Sequence, residues 1–550
     1  MPDKPEGNYL PAGQWLKLAA ALYVLNFVLT FHNVWPTPWI TTRNELSVEI
    51  AALLVGLFAL VKLRGRVSDR ARSVLAIVLT VMCIGRYAEV TAPALYGRRI
   101  NLYWDAQHLP GVAAMLIEAA PVWLVALLAL AVVMLLVAVY TLLGWALRQV
   151  GNTLHYRGPG YTLAGVGGLM VLTYALEYSP LPVRVWQWFS LPVSTTYWRQ
   201  AAFMVDAASD AGSLASLPAP VSLAEPQLER VAGSDALVLF VESYGATAYD
   251  NPAVAARVAP AREAFANAVR ESGRHAASAF VESPTFGGGS WLAHMSFMTG
   301  LDVRDQGAYN LLLTQRRDTL PMRFAANDYR IVALMPGLKS AWPEGAFYDL
   351  ETVYGERALA YPGPDFGWWR IPDQFSLAKF AALELDRPER RPVFLFFPTI
   401  NTHMPFKPTP PYQADWPRLL TDSPFDDAAA ARALTRLPEW TDLQPAYADA
   451  LVYTFEYLSG FVRERAGDDF VLVLLGDHQP PASVSGQDAR WDVPVHVIAG
   501  REDIAAALID AGFTAGMTPG DSSLGRMHML TALLLEAFSN PATATRTSGR

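Results

Sequence analysis

The run "PVWLVALLALAVVMLLVAVYTLLGWAL" near residue 130 holds no charge over a length that crosses a bilayer core. Nothing else in the chain limits its fold as strongly. Five such apolar stretches stand in series in the first third, at 15–35, 46–63, 73–92, 119–147 and 161–178. One could be a buried helix of a soluble protein, but five in succession predict an α-helical transmembrane domain over 1–180. The first run lacks a convincing small-residue cleavage site and is followed by four more, so it reads as a span rather than a cleaved signal peptide.

Loop charge sets the expected orientation. Lys62, Arg64, Arg66, Arg70 and Arg72 lie in the second loop, with Arg148 and Arg157 in the fourth. The first loop has only Arg43, and the third has Arg98 and Arg99. The positive-inside rule puts loops two and four in the cytoplasm, and an odd number of spans places the rest of the chain outside. The expected location is a bacterial inner membrane, multi-pass, with an extracytoplasmic C-terminal domain. Arg86 and Glu89 fall inside the third span on one helical face, where charges are costly and mark either a pair or a function.

Residues 181–235 read as an interfacial helix and linker. Trp186, Trp188, Tyr197 and Trp198 supply the aromatic density of a helix lying in the membrane surface, and an Ala/Ser/Pro-rich stretch follows. The net charge of −8 and the lack of basic runs interleaved with aromatics give no reason to expect nucleic acid as a partner. Cys83, the sole cysteine, rules out an intrachain disulfide and a cysteine-based zinc site.

Residues 236–540 change pattern. Short apolar strands ("ALVLFV", "RIVALMP", "PVFLFFP", "FVLVLLG", "VPVHVIAG") alternate with helical stretches, which predicts an α/β domain with a mainly parallel sheet covered on both faces. Residues 541–550 read as a flexible tail. In such sheets ligands bind at the C-terminal ends of strands. Four strand ends carry chemistry: Glu242; Ser290 after Gly287-Gly288-Gly289; His403; and the adjacent Asp477 and His478. Two carboxylates, an imidazole and a hydroxyl suit a divalent metal ion, Zn²⁺ or Mn²⁺. A metal beside Ser290 makes its hydroxyl a usable nucleophile, and a helix opening at Ser290 favours a phosphoryl group. Each residue also has an ordinary reading, such as an N-cap for Ser290 or a turn residue for Asp477.

The segments "VLFVESYG", "SPTFGGGSWLAHMSFMTGL", "NTHMPF" and "LLGDHQP" resemble the alkaline phosphatase/sulfatase superfamily. The resemblance points to its membrane-anchored branch of lipoteichoic-acid synthases and of phosphoglycerol and phosphoethanolamine transferases. It implies an alkaline-phosphatase-like fold and a metal held by Glu242, Ser290, Asp477 and His478. Ser290 becomes the nucleophile, and His403 contacts the phosphate or protonates the leaving group. Lys339, Trp342 and His294 become secondary substrate-binding candidates, while His496 reads as structural. Ser stands where these transferases usually have Thr. The sulfatase Cys/Ser-x-Pro-x-Arg signature is absent, and the missing disulfides favour the lipoteichoic-acid-synthase-like side. The implied activity moves a headgroup from a membrane phospholipid donor to an envelope glycan or lipid acceptor through a phosphoserine. A phosphate or sulfate ester hydrolase on the same site, and a non-catalytic membrane sensor on a retired enzyme fold, are the alternatives.

Overall fold

The computed structural model describes residues 10–35, 37–96, 99–106, 109–119, 121–177, 188–208, 228–315, 317–339, 342–367 and 369–539. Trp186, most of the expected linker and the expected tail at 541–550 lie outside the described residues. The chain divides into two compact units, Met1–Leu95 with Arg99–Ala208, and Tyr96–Arg98 with Ser209–Arg550.

The first unit is helical. Its main elements are α1 (Ala12–Thr30), α2 (Val48–Arg64), α3 (Asp69–Tyr96), α4 (Val122–Thr153), α5 (Arg157–Glu177) and α6 (Val193–Ala208). Leu25 and Leu29 of α1, Leu54 and Leu57 of α2, and Leu143 and Leu147 of α4 share one core. Among the described residues four helices are long and apolar enough to cross a membrane: Ala12–Thr30, Asp69–Leu95, Val122–Thr153 and Arg157–Leu176. The sequence predicts five, and α2 accounts for the difference. It has 17 residues with Glu49, Lys62 and Arg64 inside its ends, and is about 25 Å long against a core of about 30 Å.

Arg86 and Glu89 are not each other's hydrogen-bond partners. Arg86 is buried and donates from Nε to the Phe31 carbonyl at 2.8 Å, while Glu89 pairs with Arg199 at 3.1 Å. Arg199 lies on α6, whose Tyr197 hydroxyl donates to the Val81 carbonyl of α3. The segment read as interfacial therefore includes a helix packed on α3.

The second unit is built on a sheet of nine strands among the described residues: β1 (Asp235–Val241), β2 (His275–Glu282), β3 (Arg330–Met335), β4 (Thr352–Gly355), β5 (Val393–Pro398), β6 (Phe470–Gly476), β7 (Asp492–Ala499), β8 (Thr514–Ala515) and β9 (Ser523–Arg526). Their order is β8-β2-β7-β6-β1-β5-β3-β4, with β9 also on β2. Strands β6, β1, β5, β3 and β4 are mutually parallel; β7 is antiparallel to both β6 and β2. Two reversals restore the direction, so β2 runs with the parallel set. The sheet is thus mixed but mostly parallel, and the C-terminal ends of β1, β2, β5 and β6 lie on one edge.

Alternation along β1 builds a core on each face. Leu237, Leu239 and Val241 join α7 (Pro252–Glu271) and α9 (Gln444–Glu464) on one side. Ala236, Val238 and Phe240 join α8 (Ser290–Thr299) and α10 (Met527–Phe538) on the other. A strand buried on both faces has no polar side, which is why these strands read as unbroken apolar runs.

Candidate metal and nucleophile site

The four strand ends are stitched together by their own polar groups. Thr399, just past β5, accepts from the Glu242 amide through Oγ1 at 3.2 Å, and its own N–H donates to the Phe240 carbonyl at 2.8 Å. Asp477 Oδ1 accepts from the Ser243 amide at 2.8 Å, tying the end of β1 to that of β6. The Ser283 hydroxyl donates to the Asp477 carbonyl at 2.6 Å, and the Gly287 amide donates to the Gln479 carbonyl at 3.1 Å.

Two glycine features make this approach possible. A Cβ at Gly476 would collide with the Tyr244 carbonyl oxygen, so the residue before Asp477 has no room for a side chain. Gly287, Gly288 and Gly289 all have positive φ (65°, 139° and 81°), a path that L side chains strongly disfavour. That path turns the chain from β2 into α8 and sets Ser290 as the first residue of the helix.

Ser290 Oγ then lies 3.0 Å from Glu242 Oε2 and 3.1 Å from His478 Nε2. His478 Nε2 is 3.4 Å from Glu242 Oε1 and 3.7 Å from Asp477 Oδ2. Glu242, Asp477 and His478 each offer a ligand atom, all within 4.8 Å of one another. His478 Nδ1 is 2.8 Å from the Gln479 carbonyl, which can only accept, so Nδ1 carries hydrogen and Nε2 faces the cluster.

Asp477 and His478 are 1% exposed. Burial, then the charge of Glu242, pushes the Asp477 carboxyl up to about 8. Burial opposes charge on His478 too, but Asp477 and Glu242 outweigh it and raise the imidazole to about 9. Glu242 goes the other way: burial works against its ionisation, and the neighbouring His478 charge holds it below the usual carboxylate range. Among the described residues both carboxylates find their ion-pair partner in His478 alone. Two buried acids, one imidazole and a hydroxyl around a common point form an oxygen-rich donor set that fits a divalent cation.

The remaining candidates surround this cluster unequally. His403 follows β5; its Nδ1 donates to the Met404 carbonyl at 2.7 Å, its ring meets Trp369 with centroids 5.0 Å apart, and its charge acts on Glu242. His294 sits one turn into α8 between Phe240 and Phe396, at centroid distances of 4.5 and 5.3 Å. Burial drives it down to about 3, so it is a neutral ring among aromatics, not a charged contact. Trp342 stacks on Tyr348 and reaches Phe396. Lys339 lies in the loop after β3. His496 bonds Ser278 Oγ at 2.7 Å and Tyr244 Oη at 3.1 Å, so both nitrogens are engaged away from the cluster.

The sequence does not reveal Asp373. It is fully buried at the start of a helix, and its carboxylate accepts from the Ile400 and Asn401 amides at 3.0 and 2.8 Å, fixing the loop that carries His403. An ordinary acid far along the chain gives no signal of that role. Gln479 adjoins the Gly-Asp-His motif; its carbonyl accepts from the Gly287 amide, while its side chain accepts from Thr247 and donates to the Arg490 and Asp492 carbonyls, a role equally silent in the sequence.

No family model and no curated protein matches the chain. Solved structures similar to it include the lipoteichoic acid synthase LtaP from Listeria monocytogenes (15% identity, TM-score 0.36, covering 57% of this chain and 79% of that one). A protein in the alkaline phosphatase superfamily from Vibrio parahaemolyticus is similar at 16% identity and TM-score 0.35, covering 60% of this chain and 78% of that one. The Streptococcus pyogenes phosphoglycerol transferase GacH, in complex with sn-glycerol-1-phosphate, is similar at 12% identity and TM-score 0.34, covering 58% and 95%. At these scores the likeness decides nothing about the site, which stands on its own distances.

Proposed function

We propose that this chain is a membrane-anchored, metal-dependent phosphotransferase of the alkaline phosphatase/sulfatase kind. It moves a phospholipid-derived headgroup, phosphoglycerol or phosphoethanolamine, to an envelope acceptor. The observation that carries the reading is the Ser290 hydroxyl within 3.1 Å of both a carboxylate and an imidazole of a three-ligand cluster, at the start of a helix.

Glu242, Asp477, His478 and the Ser290 hydroxyl would hold a divalent ion, Zn²⁺ or Mn²⁺, which supplies positive charge that lowers the hydroxyl's pKa and offsets charge on the phosphoryl oxygens. Ser290 Oγ, its proton released to water, attacks phosphorus as an alkoxide, and the bond to diacylglycerol breaks. His403, with Nδ1 engaged by the Met404 carbonyl, delivers a proton from Nε2 to the leaving oxygen. An acceptor hydroxyl then gives its proton to His403 Nε2 and displaces Ser290, which leaves as the alkoxide and regains its proton from water. The apolar helices of the first unit keep the enzyme beside its lipid donor. With α2 counted as a fifth span, the second unit faces away from the cytoplasm of a bacterial inner membrane.

Mass spectrometry of the protein incubated with phosphatidylglycerol or phosphatidylethanolamine tests this. A headgroup-phosphate adduct on Ser290, absent from Ser290→Ala, is expected; full turnover by that variant would end the proposal. Release of the headgroup to water at an unchanged rate with acceptor present would identify a hydrolase instead. A purified protein that retains no metal would point to a retired site.

A further inference from the structure

A groove of about 350 Å³ opens on the α7/α9 side of the second unit, and none of the cluster residues lines it. Its floor is an ion-pair knot: Arg257 and Lys407 both converge on Asp449, with Lys407 Nζ at 2.7 Å. One carboxylate thus answers two cations. Arg432 and Arg436 add two more at the rim and form no ion pair among the described residues; Glu456 is the only other acid of the lining. The wall is the segment Pro410-Pro411-Tyr412, with Tyr412 37% exposed.

The groove shares two elements with the cluster. Lys407 lies on the loop that carries His403. Phe406 of that loop packs on Tyr447 of α9 at 5.2 Å, and Tyr447 donates to the carbonyl of Ser243, next to Glu242. Asp449 is two residues further along α9.

We infer that this groove binds a phosphate-bearing carbohydrate or polyol chain, and so holds the acceptor of the transfer reaction. The inference rests on the transferase reading for that last step only. Uncompensated guanidinium groups take phosphate oxygens in paired hydrogen bonds. A proline and tyrosine wall receives the C–H face of a sugar ring, which a bare anion site does not need.

Equilibrium binding to the full-length protein in detergent, carrying Ser290→Ala to prevent turnover, is the test. Three probes are compared: phosphorylated maltoheptaose, plain maltoheptaose and inorganic phosphate. Phosphorylated maltoheptaose should bind at least about 10-fold more tightly than either of the others. The double variant Arg432→Ala/Arg436→Ala should lose about 10-fold or more of that binding, with its thermal midpoint unchanged. A charge-retaining Arg432→Lys/Arg436→Lys variant should recover part of it. Equal binding of inorganic phosphate, or undiminished binding in the alanine variant, would overturn the assignment. Because the readout is binding, absence of a Ser290 adduct would defeat the transfer reading without touching this result.

Discussion

The Ser290 hydroxyl has two polar partners within 3.1 Å, Glu242 Oε2 and His478 Nε2. With His478 raised to about 9, the cation-free cluster carries a proton on Nε2, and Ser290 donates to Glu242. A divalent ion, on the proposed reading, would take the place of that proton. Asp477→Asn removes one of the two ligand charges, so metal content should fall from near one equivalent to a small fraction. The loss should exceed the ~10–100-fold typical of an outer-shell partner, and elemental analysis of the purified protein measures it. Asp373 offers a separate test. Burial pushes it up to about 7 despite the two amides it accepts from, above the unfolded value of about 3.9. The folded state therefore holds the extra proton between those values. The stability this contributes is present below about pH 4 and is lost as pH rises to 7. Thermal midpoints of the wild type and Asp373→Asn should diverge in the variant's favour from pH 5 to pH 8; a constant difference would refute the assignment.

Strand ends deliver the chemistry because each is fixed by its neighbour rather than by its own sequence. Gly476 is the tightest point, where the Tyr244 carbonyl leaves no room for a Cβ. Gly476→Ala should cost about 1–3 kcal/mol, as overpacking does, and should lower metal retention together with the thermal midpoint, since the same shift moves Asp477. Metal retention at wild-type level alongside a lowered midpoint would separate the strand end from the site. The elements are legible in proportion to their burial. Strands β1, β3, β5, β6 and β7 stand out as apolar runs, and α8 opens at Ser290 as its sequence predicts. The short edge strands β4, β8 and β9 do not stand out, because few residues and mixed polarity give no periodic signal.

Taken whole, the second unit has apolar cores on both faces of its sheet and needs no further surface to fold. A fragment starting at residue 228 should unfold in one cooperative transition by circular dichroism. Metal at a hundredfold excess over its dissociation constant should add about 2.7 kcal/mol, seen as a midpoint several degrees lower after chelation. An unchanged midpoint would mean that the cluster binds no ion in the folded state. The full-length chain should stay in the membrane fraction after alkaline carbonate extraction, as expected from the four long apolar helices among its described residues.

The sequence by itself determined the long apolar helices, the α/β class and the four strand ends, because transfer from water and two-faced burial write themselves into hydrophobic periodicity. Spacing in sequence carries no information about contacts between residues 242, 290 and 477. Only tertiary structure decided that β2 rejoins the parallel direction through β7, that Ser290 meets Glu242 at 3.0 Å, and that Asp373 holds the His403 loop. Strand order and hydrogen-bond direction are properties of the packed sheet, which a one-dimensional pattern does not encode.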